Sequence, residues 1–143
     1  MKTNRNDMHD REIMRIEPGI LPLCDALNSY YGIVTLYSCE GHPRRPARPY
    51  VSFRAELEEA GWIQEAITAC RNKLTYNWWV TGNFNSEGAW VYCLEPNDVR
   101  FRRPLRLWFL PNWRREQADL DLKNIAHSIE MTLPRNLRKS GSF

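Results

Sequence analysis

The spacing of apolar residues predicts three helices along the chain. Between residues 18 and 31 apolar side chains recur at steps of three and four, and Gly32 follows at a place where a helix-ending glycine is common. In residues 56–74 glutamates open a second such segment and basic residues close it, which suits the helix dipole. A third segment covers residues 112–133 at helical spacing, and Pro134 ends it.

Strand patterns lie between these predicted helices. Residues 33–37 are β-branched and aromatic, and residues 50–54 alternate between apolar and polar types. Two aromatic runs, residues 76–81 and 89–94, flank a polar stretch with glycines and predict a hairpin with a long tip. Residues 105–110 supply a further strand. The pattern predicts an α+β fold, with a mainly antiparallel sheet of about five strands and two to three helices packed on it.

The polar residues at both ends of the chain indicate the boundaries of a single domain. We predict a flexible arm over residues 1–12, one α+β domain over residues 13–134 and a basic flexible tail over residues 135–143. The chain has 143 residues, of which 43% are hydrophobic and 26% charged, so it can bury one core and does not have a disordered composition. No stretch approaches the roughly 20 apolar residues of a bilayer span, and the first residues do not have a secretion-signal pattern. We therefore expect no membrane partner.

The cysteine spacing indicates the cell compartment, and the basic composition indicates the class of partner. Cys24, Cys39, Cys70 and Cys93 are widely spaced in a chain long enough to fold without disulfides, so we expect reduced thiols and a cytoplasmic location. The net charge is only +3, but 16 of the 20 basic residues are arginine, which suits paired contacts with phosphate or carboxylate. A nucleotide, RNA or a protein could be the partner, and a homodimer is compatible with this composition.

The main candidate site is the turn that ends the first predicted strand. It comprises Ser38, Cys39, Glu40, Gly41 and His42, together with the following arginines Arg44, Arg45 and Arg48. Backbone N–H groups around Gly41 could face an anion that His42 and the arginines contact, as loops at strand ends often do. We favour this ligand-binding interpretation.

Other interpretations of the same turn stay open. Cys39 and His42 could supply two zinc ligands, but no second close-spaced pair of cysteine or histidine exists, so the sequence favours no metal site. Cys39 could instead be a nucleophile activated by His42 or by the arginines. Glu40 could orient His42 or act as a base. The turn could also be purely structural, with a small buried thiol and a glycine at positive φ. We therefore assign no catalytic residue.

A second candidate surface combines arginine and tryptophan. Its residues are Arg100, Arg102, Arg103, Arg106, Trp113, Arg114 and Arg115. Basic and aromatic side chains together suit single-stranded nucleic acid or a protein interface. The chain has no glycine-rich phosphate loop, no His-Glu-x-x-His helix and no Gly-x-Ser-x-Gly elbow, which removes the common nucleotidases, zinc proteases and hydrolases.

The turn resembles the Ser-Ser-Cys-Ser-Gly-Arg signature of the wybutosine-synthesis methyltransferases, which methylate a modified guanosine in transfer RNA using S-adenosylmethionine. Ser38, Cys39 and Gly41 match as residue types, and Pro49 begins a segment like that family's Pro-Phe strand, whereas His42 replaces the arginine. The resemblance implies RNA-directed methyl transfer with S-adenosylmethionine as cofactor. The turn is also similar to that of uncharacterised phage and mobile-element proteins, which implies no reaction.

Two functions follow as hypotheses from these features. The first is a small cytoplasmic protein that binds a nucleotide-like or nucleic-acid ligand at the turn, with RNA-directed methyl transfer as its enzymatic form. The second is a non-enzymatic phage or mobile-element protein that inhibits a host defence protein through its arginine- and aromatic-rich surface. The sequence does not decide whether the protein is an enzyme.

Overall fold

The computed structural model describes residues 16–43, 47–102 and 113–140. Within them, the helices and strands in chain order are α1 (Leu21–Asn28), β1 (Val34–Cys39), β2 (Tyr50–Arg54), α2 (Leu57–Ala69), β3 (Trp78–Phe84), β4 (Trp90–Pro96) and α3 (Arg115–Thr132). Short 3-10 helices occur at Arg71–Lys73, Val99–Phe101 and Arg135–Leu137. No helix in these parts of the chain is both long and apolar enough to cross a bilayer.

The four strands form one antiparallel sheet in the order β1-β2-β4-β3. Because side chains alternate along each strand, the two faces of the sheet differ in composition. The inner face carries fully buried residues such as Val51, Phe53 and Leu94, which belong to the core shared with the helices. The other face, here named the outer face, includes Tyr37, which lies opposite Ser52 across the β1–β2 pair.

Helix α3 packs against both α1 and α2 and contributes its inward face to the core. Its inward residues Leu122, Ile125 and Ile129 are fully buried. The hydroxyl of Ser128 donates to the carbonyl oxygen of Ala66 in α2 at 2.6 Å, so the two helices are also joined by a buried hydrogen bond. The apolar spacing therefore places the long helix where it completes one core.

A buried carboxylate fastens α3 to the start of β3. Asp121 has no exposed surface, and it accepts hydrogen bonds from the backbone N–H groups of Thr75 and Tyr76 and from Nε1 of Trp78 at 2.8–2.9 Å. Three donors satisfy a charge that would otherwise be costly to bury. The arrangement fixes the position of α3 along the sheet.

The α+β prediction is confirmed, with four antiparallel strands in the described residues. The described residues hold four strands instead of about five, and the predicted strand at residues 105–110 lies outside them. The predicted arm, residues 1–12, also lies outside them. Its boundary with the domain stays a prediction.

Element ends differ from the predictions for local reasons. Helix α1 stops at Asn28, whose side chain is engaged by the backbone and hydroxyl of Thr35 in β1. Strand β3 covers residues 78–84 instead of 76–81, and β4 covers residues 90–96 instead of 89–94. Gly82, predicted in the hairpin tip, lies inside β3, where the ring of Trp90 packs beside it. The tip is closed by Asn85, whose side chain accepts from two backbone N–H groups.

The first part of the predicted basic tail is bonded to the domain. Leu137 accepts from the backbone N–H of Tyr31 at 2.8 Å, and the N–H of Lys139 donates to Ser29 at 2.7 Å. The segment of residues 135–140 is therefore hydrogen-bonded to the residues that come directly after α1. Residues 141–143 lie outside the described chain.

Candidate functional site

The candidate turn begins inside strand β1. Cys39 is the last residue of β1 and lies opposite Tyr50 of β2. Glu40 then leaves the sheet, and the backbone N–H of His42 donates to the carbonyl oxygen of Ala47 at 2.9 Å, which closes the loop back toward β2. Antiparallel pairing thus brings the turn and the start of β2 together.

Ser38 does not share the side of the strand that carries Cys39. Its hydroxyl interacts with the thiol of Cys24, a core residue of α1 that is 1% exposed. Burial raises the pKa of the Cys24 thiol, and the hydrogen bond with Ser38 opposes that rise. The Ser38 side chain therefore contacts the core and does not join the rest of the predicted site.

Gly41 allows the turn to pass close to two neighbours. Its φ is +79°, in the left-handed region that favours glycine. A Cβ atom at this position would lie 2.6 Å from the backbone nitrogen of Pro49 and 2.9 Å from the ring of Trp113. Both the backbone conformation and the lack of space require glycine.

Arg115, the first residue of α3, holds the carbonyl side of the turn. Its Nη1 donates to the carbonyl oxygen of Glu40 at 2.6 Å, and its Nη2 donates to that of Gly41. Its guanidinium also lies 5.3 Å from the ring centroid of Trp113, and its Nη1 is 3.4 Å from Asp119. Arg115, which the sequence assigned to the second candidate surface, therefore supports the turn.

Two glutamates approach the turn from different directions. The carboxylate of Glu40 accepts from the N–H of Gly19 at 2.8 Å, so it is directed at the segment before α1. Glu17, in that same segment, accepts from the N–H of Glu40 at 3.1 Å, and its other oxygen lies 3.6 Å from Nε2 of His42. The carboxylate beside His42 is therefore that of Glu17 and not that of Glu40.

The backbone of the turn does not form the predicted anion cradle. The N–H of Gly41 donates to Sγ of Cys39 at 3.3 Å, and the N–H groups of Glu40 and His42 donate to Glu17 and Ala47. All three groups already have acceptors inside the protein. The adjacent carboxylates would also repel an anion.

The arginines predicted to follow the turn are only partly described. Arg44 and Arg45 lie outside the described residues. Arg48 donates through Nε and Nη2 to the same carboxylate oxygen of Glu95 in β4, at 3.2 and 2.7 Å. Arg48 is thus placed at the outer face by an ion pair that the sequence did not indicate.

Within the described part of the chain, the surroundings of Cys39 do not activate its thiol. Burial raises its pKa, and the negative charge of Glu17 adds to the rise, whereas the N–H of Gly41 opposes it. A raised pKa keeps the thiol protonated at neutral pH, and the thiolate is the nucleophilic form. These contacts disfavour the thiolate that nucleophilic catalysis by Cys39 would need.

A cavity of about 510 Å³ lies on the outer face beside the turn. Every strand of the sheet contributes to its wall, including Tyr37 and Cys39 of β1, Tyr50 of β2, Asn83 of β3 and Cys93 of β4. Burial, together with the nearby Glu95 carboxylate, raises the pKa of the Cys93 thiol to about 12. Cys39 belongs to both the turn and the cavity, so the two form one continuous region.

Three groups that bind metals in proteins meet at the edge of this region. Glu17, Cys39 and His42 each offer one donor atom, and these atoms all lie within 4.8 Å of one another. The other three cysteines do not join this group: Cys24 and Cys70 are buried, and Cys93 lies beside Glu95. All four cysteines of the chain are described, and none is in a disulfide.

The described members of the second predicted surface do not form one exposed patch. Trp113 is buried, and Arg115 supports the turn. Arg100, Arg102 and Arg114 are exposed, and Arg100 is paired with Asp98 at 2.7 Å. The two remaining members, Arg103 and Arg106, lie outside the described residues.

No protein-family model matches the chain, and no curated protein or solved structure is similar to it at a significant level. The resemblance of the turn to the wybutosine-synthesis methyltransferases and to phage proteins therefore stays a prediction.

Proposed function

We propose that the protein is a cytoplasmic binder of a nucleobase-containing ligand, which occupies the outer-face cavity next to the turn. The ligand is a nucleotide or an unpaired base of RNA. This proposal keeps the ligand class that the sequence indicated and moves the contact surface from the turn backbone to the sheet.

The observation that carries the proposal is a pair of tyrosines in one cavity. Tyr37 is 67% exposed although it is a large aromatic residue on a strand. Tyr37 faces Ser52, and Tyr50 is two residues before Ser52 on the same face, so the two rings are diagonal neighbours on adjacent strands. Aromatic side chains presented on an open sheet face are a recurring platform on which bases stack.

The remaining wall of the cavity suits a base that carries a charged group. Asn83 and Ser52 bring an amide and a hydroxyl, which can pair with the edge of a base. Arg48 has five N–H donors, and its bonds to Glu95 use two of them, so the guanidinium can contact phosphate as well. A cavity of about 510 Å³ is also in the usual size range of small-ligand sites.

The enzymatic form of the hypothesis falls within the same ligand class. S-adenosylmethionine carries an adenine base, so a methyl transfer implied by the resemblance would need this cavity or one like it. Neither cysteine of the described wall is an activated nucleophile, since burial raises the pKa values of both Cys39 and Cys93. Binding is therefore proposed without a reaction.

Calorimetric titration of the purified protein tests the proposal. The ligands are AMP, GMP, S-adenosylmethionine and a short single-stranded RNA, and the variants are Tyr37→Ala and Tyr50→Ala. Loss of one stacking platform is expected to weaken binding by about 10-fold. Tyr37→Phe keeps the ring and should bind almost as the wild type does.

Tyr31→Ala is the matched control, because Tyr31 is 58% exposed and is not part of the cavity wall. It should leave the affinity unchanged. Binding of RNA but not of the mononucleotides would assign the cavity to a base within a strand, and the reverse would assign it to a free nucleotide. If no ligand binds at millimolar concentration, or if Tyr31→Ala weakens binding as much as Tyr37→Ala, the proposal is wrong.

A further inference from the structure

We infer that Glu17, Cys39 and His42 form a binding site for one divalent transition-metal ion of the zinc class. The inference goes beyond the proposed ligand and does not depend on it. The three donor atoms lie within 4.8 Å of one another, and Nε2 of His42 is 3.6 Å from the Glu17 carboxylate. In a tetrahedral site with usual zinc bond lengths, ligand atoms are about 3.3–3.8 Å apart. Small side-chain rotations would therefore bring all three onto one ion.

The chemistry of the donors selects the ion. A thiolate, an imidazole and a carboxylate are the three ligand types that zinc uses in proteins. Magnesium and calcium prefer oxygen ligands alone, so a site with sulfur and nitrogen disfavours them. The thiolate and the carboxylate would also neutralise the two charges of the ion.

Hydrogen bonds outside the donor set hold two of the three ligands in place. The N–H of Glu40 binds one oxygen of Glu17 at 3.1 Å, and the other oxygen is the one beside His42. The N–H of Gly41 donates to Sγ of Cys39 at 3.3 Å, a contact that stabilises a bound thiolate. Such supports distinguish a formed site from a chance meeting of side chains.

The described residues supply three of the four ligands of a tetrahedral ion. Within the described residues, no fourth cysteine, histidine, aspartate or glutamate joins the group. Three protein ligands on zinc leave a position for water or for a ligand atom, which is the pattern of sites that do more than stabilise a fold. Because Cys39 also lines the outer-face cavity, the ion would lie at the edge of that cavity.

Titration of the metal-free protein with Co²⁺ tests the inference, because a thiolate bound to cobalt gives a charge-transfer absorption band. We expect one ion per chain with this band, and displacement of the cobalt by Zn²⁺. Each of Glu17→Gln, Cys39→Ser and His42→Ala should weaken binding by at least about 10-fold. Cys39→Ser should also remove the thiolate band.

Two substitutions serve as matched controls. Glu65→Gln changes an exposed glutamate of α2, and His127→Ala changes an exposed histidine of α3. Both should bind the ion as the wild type does. Zn²⁺ should raise the melting temperature of the wild type and of these controls, but not that of the ligand variants, because an ion stabilises only the state that binds it.

The result that would overturn the inference is a folded wild-type protein without the thiolate band, or with zinc affinity unchanged in all three ligand variants. Should Cys39→Ser fail to fold, His42→Gln and Glu17→Gln decide the matter, since both side chains are partly exposed. Nucleotide binding with no metal would remove only this inference. Metal binding with no nucleotide would remove only the proposed function.

Discussion

Nη1 of Arg115 lies 2.6 Å from the carbonyl oxygen of Glu40, a residue 75 positions earlier in the chain. The same guanidinium also donates to the carbonyl oxygen of Gly41. The first residue of α3 therefore fixes the turn at the end of β1. Since Cys39 and His42 flank these two carbonyl groups, the placement of both side chains depends on a distant arginine.

Removal of this support should loosen the turn. Arg115→Ala would leave two partly buried carbonyl groups without their charged donor, and we expect the free energy of unfolding to fall by about 1–3 kcal/mol. Urea denaturation measures the loss. Arg114→Ala is the control, because Arg114 is exposed, and it should change the free energy by less than about 0.5 kcal/mol. Equal losses in the two variants would show that the carbonyl contacts do not stabilise the turn.

Gly41→Ala should be more damaging than a usual glycine substitution. The new methyl group would combine an unfavourable φ with close contacts to Pro49 and Trp113, and we expect a loss of at least about 2 kcal/mol. Gly88→Ala isolates the backbone part, because Gly88 has a φ of +76° and nothing within 4 Å of its added Cβ. It should cost about 1 kcal/mol. Thermal unfolding of both variants gives the comparison, and similar costs would mean that the space around Gly41 can adjust.

Local sequence patterns predicted the elements because the forces behind them are local. The spacing of Ile63 and Ile67 sets the buried side of α2, and the alternation around Val51 and Phe53 sets the inner face of β2. Element ends were less predictable, since they depend on contacts between elements. The end of α1 at Asn28, for example, is set by its hydrogen bonds to Thr35 in the next strand.

The candidate site was only half predictable for the same reason. Cys39 and Gly41 stand out as residue types at a strand end, but their partners come from far along the chain. Glu17 reaches the turn over 23 residues, and Arg48 finds Glu95 over 47. Such long-range contacts depend on the path of the folded chain, and no residue spacing in the sequence indicates them. For this reason a search of the sequence for a second cysteine or histidine pair does not find Glu17, which the fold brings beside Cys39 and His42.

Asp121 should be among the most sensitive positions of the fold. Its buried carboxylate satisfies two backbone N–H groups and the indole of Trp78, so Asp121→Ala would leave two buried donors and one partly buried donor without this partner. We expect a loss of about 3–5 kcal/mol in the free energy of unfolding. Asp121→Asn keeps one strong acceptor and should lose less.

The control for Asp121 is Asp25→Ala, which changes an exposed carboxylate on α1. Its effect should stay below about 0.5 kcal/mol in the same denaturation series. If Asp121→Ala were as mild as this control, water would have to replace the carboxylate, and the assigned link between α3 and β3 would be wrong.

Asp98 should make stability depend on pH in the acid range. Hydrogen bonds from the Arg100 side chain lower the pKa of Asp98 from 3.8 to about 2 in the folded protein. A carboxyl whose folded pKa is depressed stabilises the fold above its unfolded pKa, and that contribution disappears as the pH falls through the folded value. The Asp98 contribution should therefore be complete above about pH 5 and be lost between about pH 4 and pH 2.

Asp98→Asn tests this sign. At neutral pH the variant should be less stable by about 1–2 kcal/mol, because the amide loses the charge that Arg100 meets. The difference from the wild type, measured by urea denaturation along a pH series, should shrink as the wild-type carboxyl becomes protonated. Asp25→Asn gives the baseline for an exposed carboxylate. A difference that stays constant down to the lowest pH at which both proteins fold would show that Asp98 acts through hydrogen-bond geometry alone, because only a charge effect disappears on protonation.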